Sequence, residues 1–367
     1  MTADRRLERN GKMKRNRMIQ GISYVCLTAA VLLLGGCAMG EAQGEKTVQG
    51  IAALNAGEYQ QAKELFEDAV RNQEEEMLAY RGLGISYMGL AQYEKAEQAF
   101  EAALDYIDDR QPENQEDLEL YLATAQYRMN DYEETIDTCT ELLEKAGDGA
   151  ADAYFLRGAS YLHEGDTQEA RSDFDAAAAL APNDYDLYLN IYECYRQMNI
   201  SGMGSDFLQA ALNIQGDDLE HYYNRGRIYY YLEDYEEAQR QLIGPVEAKY
   251  EPAMVLIGKV YLELEDYEHA RAIYAQLEQE FGASAESYNG LALCAMYNKE
   301  YDTALSYIAQ GLELSSNVGK QELYFNEIII YEKKLDFSAA KEKAKEYAER
   351  YPSDEAGQRE WTFLSTR

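Results

Sequence analysis

Residues 77–103 read MLAYRGLGISYMGLAQYEKAEQAFEAA. Tyr80, Gly84 and Tyr87 fall at i, i+4 and i+7, so they share one face of a helix; Ala96, Phe100 and Ala103 repeat that spacing on a second helix. The residues between, ending in Ala91-Gln92-Tyr93, form the turn. The stretch is therefore a helical hairpin, whose apolar faces need a neighbour to cover them. Gly57-Glu58-Tyr59-Gln60-Gln61-Ala62 matches Ala91-Gln92-Tyr93-Glu94-Lys95-Ala96 at a spacing of 34 residues. A period in this range marks an array of stacked supersecondary units.

The turn recurs at Asn130-Asp131-Tyr132, Gly165-Asp166-Thr167, Glu233-Asp234-Tyr235, Glu265-Asp266-Tyr267, Lys299-Glu300-Tyr301 and Leu335-Asp336-Phe337. With the small residue after each turn set as position 20, repeats begin near residues 43, 77, 116, 151, 185, 219, 251, 285 and 321. The second and fourth fit best, the fourth through Tyr154, Gly158, Tyr161, Ala170, Phe174, Ala177 and Pro182. In this phase the chain resembles the tetratricopeptide repeat (TPR) family. The resemblance implies an all-α fold, a right-handed superhelical solenoid of about nine hairpins over 43–352, with 353–367 as a capping helix. Ser353 is its expected N-cap, and Trp361, Phe363 and Leu364 are expected to cover the last apolar face. Gly84, Gly158, Gly226 and Gly258 at position 8 are expected to face Ala96, Ala170, Ala238 and Ala270 at position 20, where larger side chains would overpack.

Several segments depart from the pattern. The first repeat has Lys46 and Ala53 where aromatics are expected, as a terminal repeat can. Ile107 to Gln115 adds five residues, including Pro112, and predicts a longer loop. Gly202 and Gly204 stand where the second helix of the fifth repeat begins, and Gly244-Pro245 predicts an early stop in the sixth.

The amino terminus carries a different signal. Arg5, Arg6, Arg9, Lys12, Lys14, Arg15 and Arg17 precede an uncharged stretch from Met18 to Gly36, the order of a basic and then an apolar signal region. Leu34-Gly35-Gly36-Cys37 resembles the lipobox of bacterial lipoprotein signal peptides. The resemblance implies a signal peptide at 1–36, diacylglycerol on Cys37 and a lipid-anchored tether over 37–42. The alternative is an uncleaved transmembrane anchor, which about 17 to 25 apolar residues can provide. Both place the array on the extracytoplasmic side, because the positive charges stay inside.

The whole chain of 367 residues has 34 basic and 67 acidic side chains, a net charge of −33. Loss of residues 1–36 removes 7 basic and 2 acidic groups and leaves 27 against 65, a net of −38. Such a surface repels a nucleic-acid backbone, so no nucleic-acid partner is expected. His163, His221 and His269 lack the spacing of ligands on one helix face, and no phosphate loop or nucleophile elbow occurs, so neither a metal, a cofactor nor catalysis is expected. Cys139, Cys194 and Cys294 lie in three separate repeats and are expected to be buried thiols rather than bridges. Most of the 33 tyrosines are expected to wedge between helices.

Function then rests on surface. The resemblance implies a concave groove lined by positions 5, 9 and 12 of each first helix. Phe155, Arg196, Tyr223, Arg227, Tyr230, Lys259 and Asn289 are the expected partner-binding residues, with the three cations facing an otherwise apolar groove. The lysine at position 5 and asparagine at position 9 that clamp carboxylates in chaperone-binding members are absent. The expected function is a membrane-tethered scaffold for protein–protein interaction at the cell envelope. The alternative is an extracytoplasmic receptor that captures a peptide or small ligand.

Overall fold

Each turn of the array contains one backbone residue in the left-handed region, and this residue sets the hairpin. The computed structural model describes residues 44–107, 112–146, 151–352 and 354–366. The expected leader, Cys37, the tether and Ser353 lie outside the described residues. Position 15 has positive φ in all nine hairpins: Gly57, Ala91, Asn130, Gly165, Asn199, Glu233, Glu265, Lys299 and Leu335. Its N–H donates to the carbonyl three residues back, as Glu265 does to Leu262 at 3.2 Å. The next N–H reaches five residues back, as Asp266 does to Tyr261 at 2.9 Å. Together these satisfy the last carbonyls of the first helix in the manner of a Schellman motif. The residue at position 16 can then cap the second helix: Asp234, Asp266 and Asp336 each accept from a backbone N–H three residues on.

Among the described residues, nineteen α-helices follow one another and divide between two compact units, 44–214 and 215–366. In the first unit α1 (Glu45–Asn55) pairs with α2 (Tyr59–Arg71), α3 (Glu76–Gly89) with α4 (Tyr93–Leu104), and α5 (Pro112–Met129) with α6 (Tyr132–Ala146). There α7 (Ala151–Glu164) also pairs with α8 (Thr167–Leu180), and α9 (Tyr185–Gln197) with α10 (Ser205–Ala211). In the second unit α11 (Leu219–Tyr231) pairs with α12 (Tyr235–Glu247), and α13 (Glu251–Glu263) with α14 (Tyr267–Phe281). Then α15 (Ala285–Tyr297) pairs with α16 (Tyr301–Glu313), α17 (Lys320–Lys333) with α18 (Phe337–Arg350), and α19 (Glu355–Ser365) packs on α18. Within each unit the first helices of neighbouring hairpins also touch, forming one continuous layer.

Within each unit the core runs between the two helices of a hairpin and on into the next. Phe66, Phe100, Phe174, Leu242 and Tyr274 at position 24 are buried. These side chains are the nearest neighbours of the position-8 glycines: Gly84 meets Phe100, Gly226 meets Leu242, and Gly258 meets Tyr274. Gly158 likewise meets Phe174, with the carbonyl of its expected partner Ala170 beside it. Position 24 is a full turn beyond position 20, so the large side chain there, rather than the small one, fills the space a missing Cβ leaves.

Three further expectations are corrected. Pro112 begins α5 as its N1 residue, so part of the expected loop at 107–115 is an added first turn of helix; N1 needs no donor, which suits proline. Pro245 does not stop α12, which continues to Glu247 with the ring buried at position 27; the lost hydrogen bond lies near the helix end and φ remains helical. The cap of α19 is Asp354, whose side chain accepts from the Ala356 N–H at 3.0 Å. Its Leu364 is buried and Trp361 packs beside it, whereas Phe363 is exposed. The fifth hairpin does break as its glycines imply: a 3₁₀ turn at Ser201–Met203 leads into the seven-residue α10.

Candidate partner-binding surface

The residues expected in the groove fall in both units, and burial separates them. In the first unit Phe155 is 4% exposed, with its ring 5.9 Å from that of Phe174, so it is a packing residue of the fourth hairpin. Arg196 stays half-buried on α9, where its Nε and Nη2 donate to the two carboxylate oxygens of Glu193 at 2.6 and 2.7 Å.

In the second unit α11, α13, α15 and α17 lie side by side and bring the other five residues onto one layer. Tyr230 is 6% exposed and packs edge-on to Tyr235, which places it in the core rather than at an open surface. Both residues stand at positions that border the packing face, 5 and 12, and in these two the ring is turned inward. Tyr223, Arg227, Lys259 and Asn289 remain half-buried. Tyr223 meets Tyr250 edge-on at 5.4 Å, and the Arg227 guanidinium lies 5.7 Å from the Tyr223 ring centre and donates to Asn224 Oδ1 at 2.8 Å. Lys259 Nζ donates to Glu286 Oε1 at 2.7 Å, and Asn289 Oδ1 accepts from Asn326 Nδ2 at 2.7 Å.

The three cations expected to face the groove therefore have partners within the chain. Glu286 and Asn326 come from the hairpin after that of their partners, at positions 2 and 6. Arg81 does the same in the first unit, pairing with Asp117 at position 2 of the next hairpin at 2.6 Å. Sequence reasoning passed over these acceptors because each hairpin was read alone. The signal was an acidic side chain at position 2 one repeat after a cation. Glu322, at position 2 of the ninth hairpin, is half-buried; burial holds its carboxyl above the usual range, with Lys259 opposing and Glu286 adding to the shift.

Cys139, Cys194 and Cys294 are buried free thiols, each pushed by burial up to about 12, so the nucleophilic thiolate is scarce at neutral pH. Among the described residues no group of three His, Cys, Asp or Glu is placed to hold a metal, and no helix is long and apolar enough to cross a membrane.

Models of the tetratricopeptide repeat match residues 47–114, 117–148, 151–184, 219–242 and 255–317, more than half of the chain. The chain belongs to the tetratricopeptide repeat family. The fifth TPR hairpin, with its broken second helix, falls outside every match, as does the ninth. No curated protein matches the chain. Among solved structures, a TPR protein from Parabacteroides merdae is 16% identical, covering 82% of this chain and 98% of that one, with a TM-score of 0.49. Yeast Tom70 is 12% identical over 88% of this chain and 87% of that one, also at 0.49. YrrB, a TPR protein with an unusual peptide-binding site, is 20% identical over 50% and 92%, at 0.37.

Proposed function

We propose that this TPR chain is a scaffold that holds a protein partner at the outer side of the cytoplasmic membrane, tethered through lipid on Cys37. TPR arrays bind protein or peptide partners, and the first-helix layer of residues 215–366 is the face offered here. The observation that carries the docking assignment is the row Tyr223, Arg227, Lys259 and Asn289. Its members are half-buried and stand on three first helices that pack side by side, and they combine apolar area with charge and amide groups, the composition that binding hot spots favour. The tether rests on Leu34-Gly35-Gly36-Cys37 behind a basic and apolar leader. Two acyl chains are enough for stable anchoring, and the acidic array would stand off an anionic membrane surface.

Two experiments test the two halves. Cys37→Ser is expected to abolish metabolic fatty-acid labelling and leave an uncleaved precursor; labelling that persists in the variant refutes the tether. Cross-linking in intact cells is expected to capture one large partner at fixed stoichiometry, with its yield changed by Arg227→Ala/Lys259→Ala while thermal stability is kept. A single short ligand in place of the large partner would identify a peptide receptor instead.

A further inference from the structure

The layer formed by α11, α13, α15 and α17 has its positive charges answered from within. Lys259 is held by Glu286 at 2.7 Å, and Glu322 lies within electrostatic reach of both. Arg227 is engaged by Asn224 and the Tyr223 ring. A carboxylate arriving at Lys259 would displace Glu286 and leave two glutamates facing each other and the newcomer. An ammonium or guanidinium arriving there meets a trio of one cation and two carboxylates, net −1. Glu286 is open to such contact, with 46% of its side chain exposed. The surrounding field acts in the same direction: residues 215–366 carry 29 acidic and 15 basic side chains, a net of −14. Charge of one sign on a binding face steers partners of the other sign and rejects its own. Apolar contact is offered on either side by Val255 on α13 and Phe325 on α17, both half-buried at position 5.

We infer, resting on the assignment of this face as the docking surface, that its partner segment is cationic, presenting Lys or Arg to Glu286 and Glu322 with apolar residues on either side. The sign is opposite to the one that the three basic residues suggest when read alone.

The test uses the full chain in detergent and two fluorescent twelve-residue peptides, one of Leu, Gly and Lys and the other with every Lys replaced by Glu. At near-physiological salt the Lys peptide is expected to bind and the Glu peptide to fail. Glu286→Gln/Glu322→Gln is expected to weaken the Lys peptide at least tenfold. Lys259→Ala removes the competing ammonium and is expected to tighten it severalfold. Glu133→Gln/Asp137→Asn, on the exposed face of α6, is the control for diffuse attraction and is expected to leave binding unchanged. Thermal melts of each variant check that the fold survives. Glu-peptide binding that is lost in Lys259→Ala overturns the inferred charge and keeps the docking face. Lys-peptide binding that falls equally in the α6 control, or a Lys peptide that does not bind, overturns the inference. Indifference of both peptides to every substitution on the face overturns the docking assignment with it.

Discussion

Phe66 and Tyr274 show how single residues hold neighbouring hairpins together. Each is a buried ring at position 24, and each lies between a glycine of its own hairpin and one of the next: Gly50 and Gly82 for Phe66, Gly258 and Gly290 for Tyr274. A Cβ at Gly50 would come within 2.8 Å of the Phe66 ring, and one at Gly258 within 2.6 Å of Tyr274. Burying such a ring contributes about 1.5–3 kcal/mol, and overpacking it costs about 1–3 kcal/mol. Gly82→Ala and Gly290→Ala are therefore expected to lower stability, although alanine is better than glycine in a helix by about 1 kcal/mol. Gly244 sits in α12 with open space around it, so Gly244→Ala is expected to raise stability by about 0.4–1 kcal/mol. Denaturant melts of the three variants check both signs; stabilisation by Gly82→Ala would refute the seat.

At the scale of the element, the hairpin turn is fixed by geometry more than by residue type. Only Gly57 and Gly165 among the nine position-15 residues are glycines, yet all nine adopt positive φ, and Leu335 does so with 74% of its surface exposed. A side chain in this region is strained, and glycine is not. Leu335→Gly relieves that strain and removes an exposed apolar side chain, against the greater freedom glycine gives the unfolded chain. The net expected is a stabilisation of about 0.5 kcal/mol, measured as a shift of the denaturant midpoint with unchanged slope. A loss of more than this in the variant would mean that the Leu335 side chain makes contacts of its own. Aromatic stacking adds a second link between elements. Tyr132 at the start of α6 stacks on His163 of α7 at 4.3 Å, and Tyr267 of α14 stacks on Tyr297 of α15 at 4.9 Å. Position 17 of one hairpin thus meets position 13 of the next, which gives the many tyrosines their packing role.

For the whole molecule, acidity is the dominant fact, and it makes stability depend on pH in a direction that can be worked out. Burial holds the carboxyls of Glu97, Asp152, Glu322 and Glu327 above the ordinary range, with neighbouring acids adding to it at Glu97 and Asp152. Between neutral pH and the ordinary carboxylate values near 4, these four groups bind more protons in the folded chain than in the unfolded one, so their contribution to stability rises as pH falls, while His163 and His221, whose pKa burial lowers, oppose it in the upper part of that range. Asp266 has the opposite sense: its hydrogen bond with His269 lowers its pKa, so its contribution is present above the unfolded value and is lost as pH falls through the folded one. The melting temperature is expected to climb by a few degrees from neutral pH to about 5 and to fall below about 4. Added salt at neutral pH is expected to raise it by screening like charges. A melting temperature that drops steadily from neutral pH downward would contradict this.

The sequence by itself determined the all-α class, the period, the frames of the nine hairpins and the place of eight of their nine turns. These follow from spacing along one chain: i, i+4, i+7 fixes a helix face, and a turn phrase recurring in phase fixes where each helix reverses. The buried state of the three cysteines was legible for the same reason. Only the tertiary structure decided which side chain fills the space at Gly84 or Gly258, that Phe155 and Tyr230 belong to the core, and that Pro245 leaves α12 unbroken. It also decided the partners of the candidate surface: Lys259 finds Glu286 and Asn289 finds Asn326 across hairpin boundaries, 27 and 37 residues away. Periodicity specifies the direction in which a side chain leaves its own helix. Whether it meets solvent, a ring or an opposite charge depends on the rotation and register of the next hairpin, which are set by the packing of large side chains against small ones.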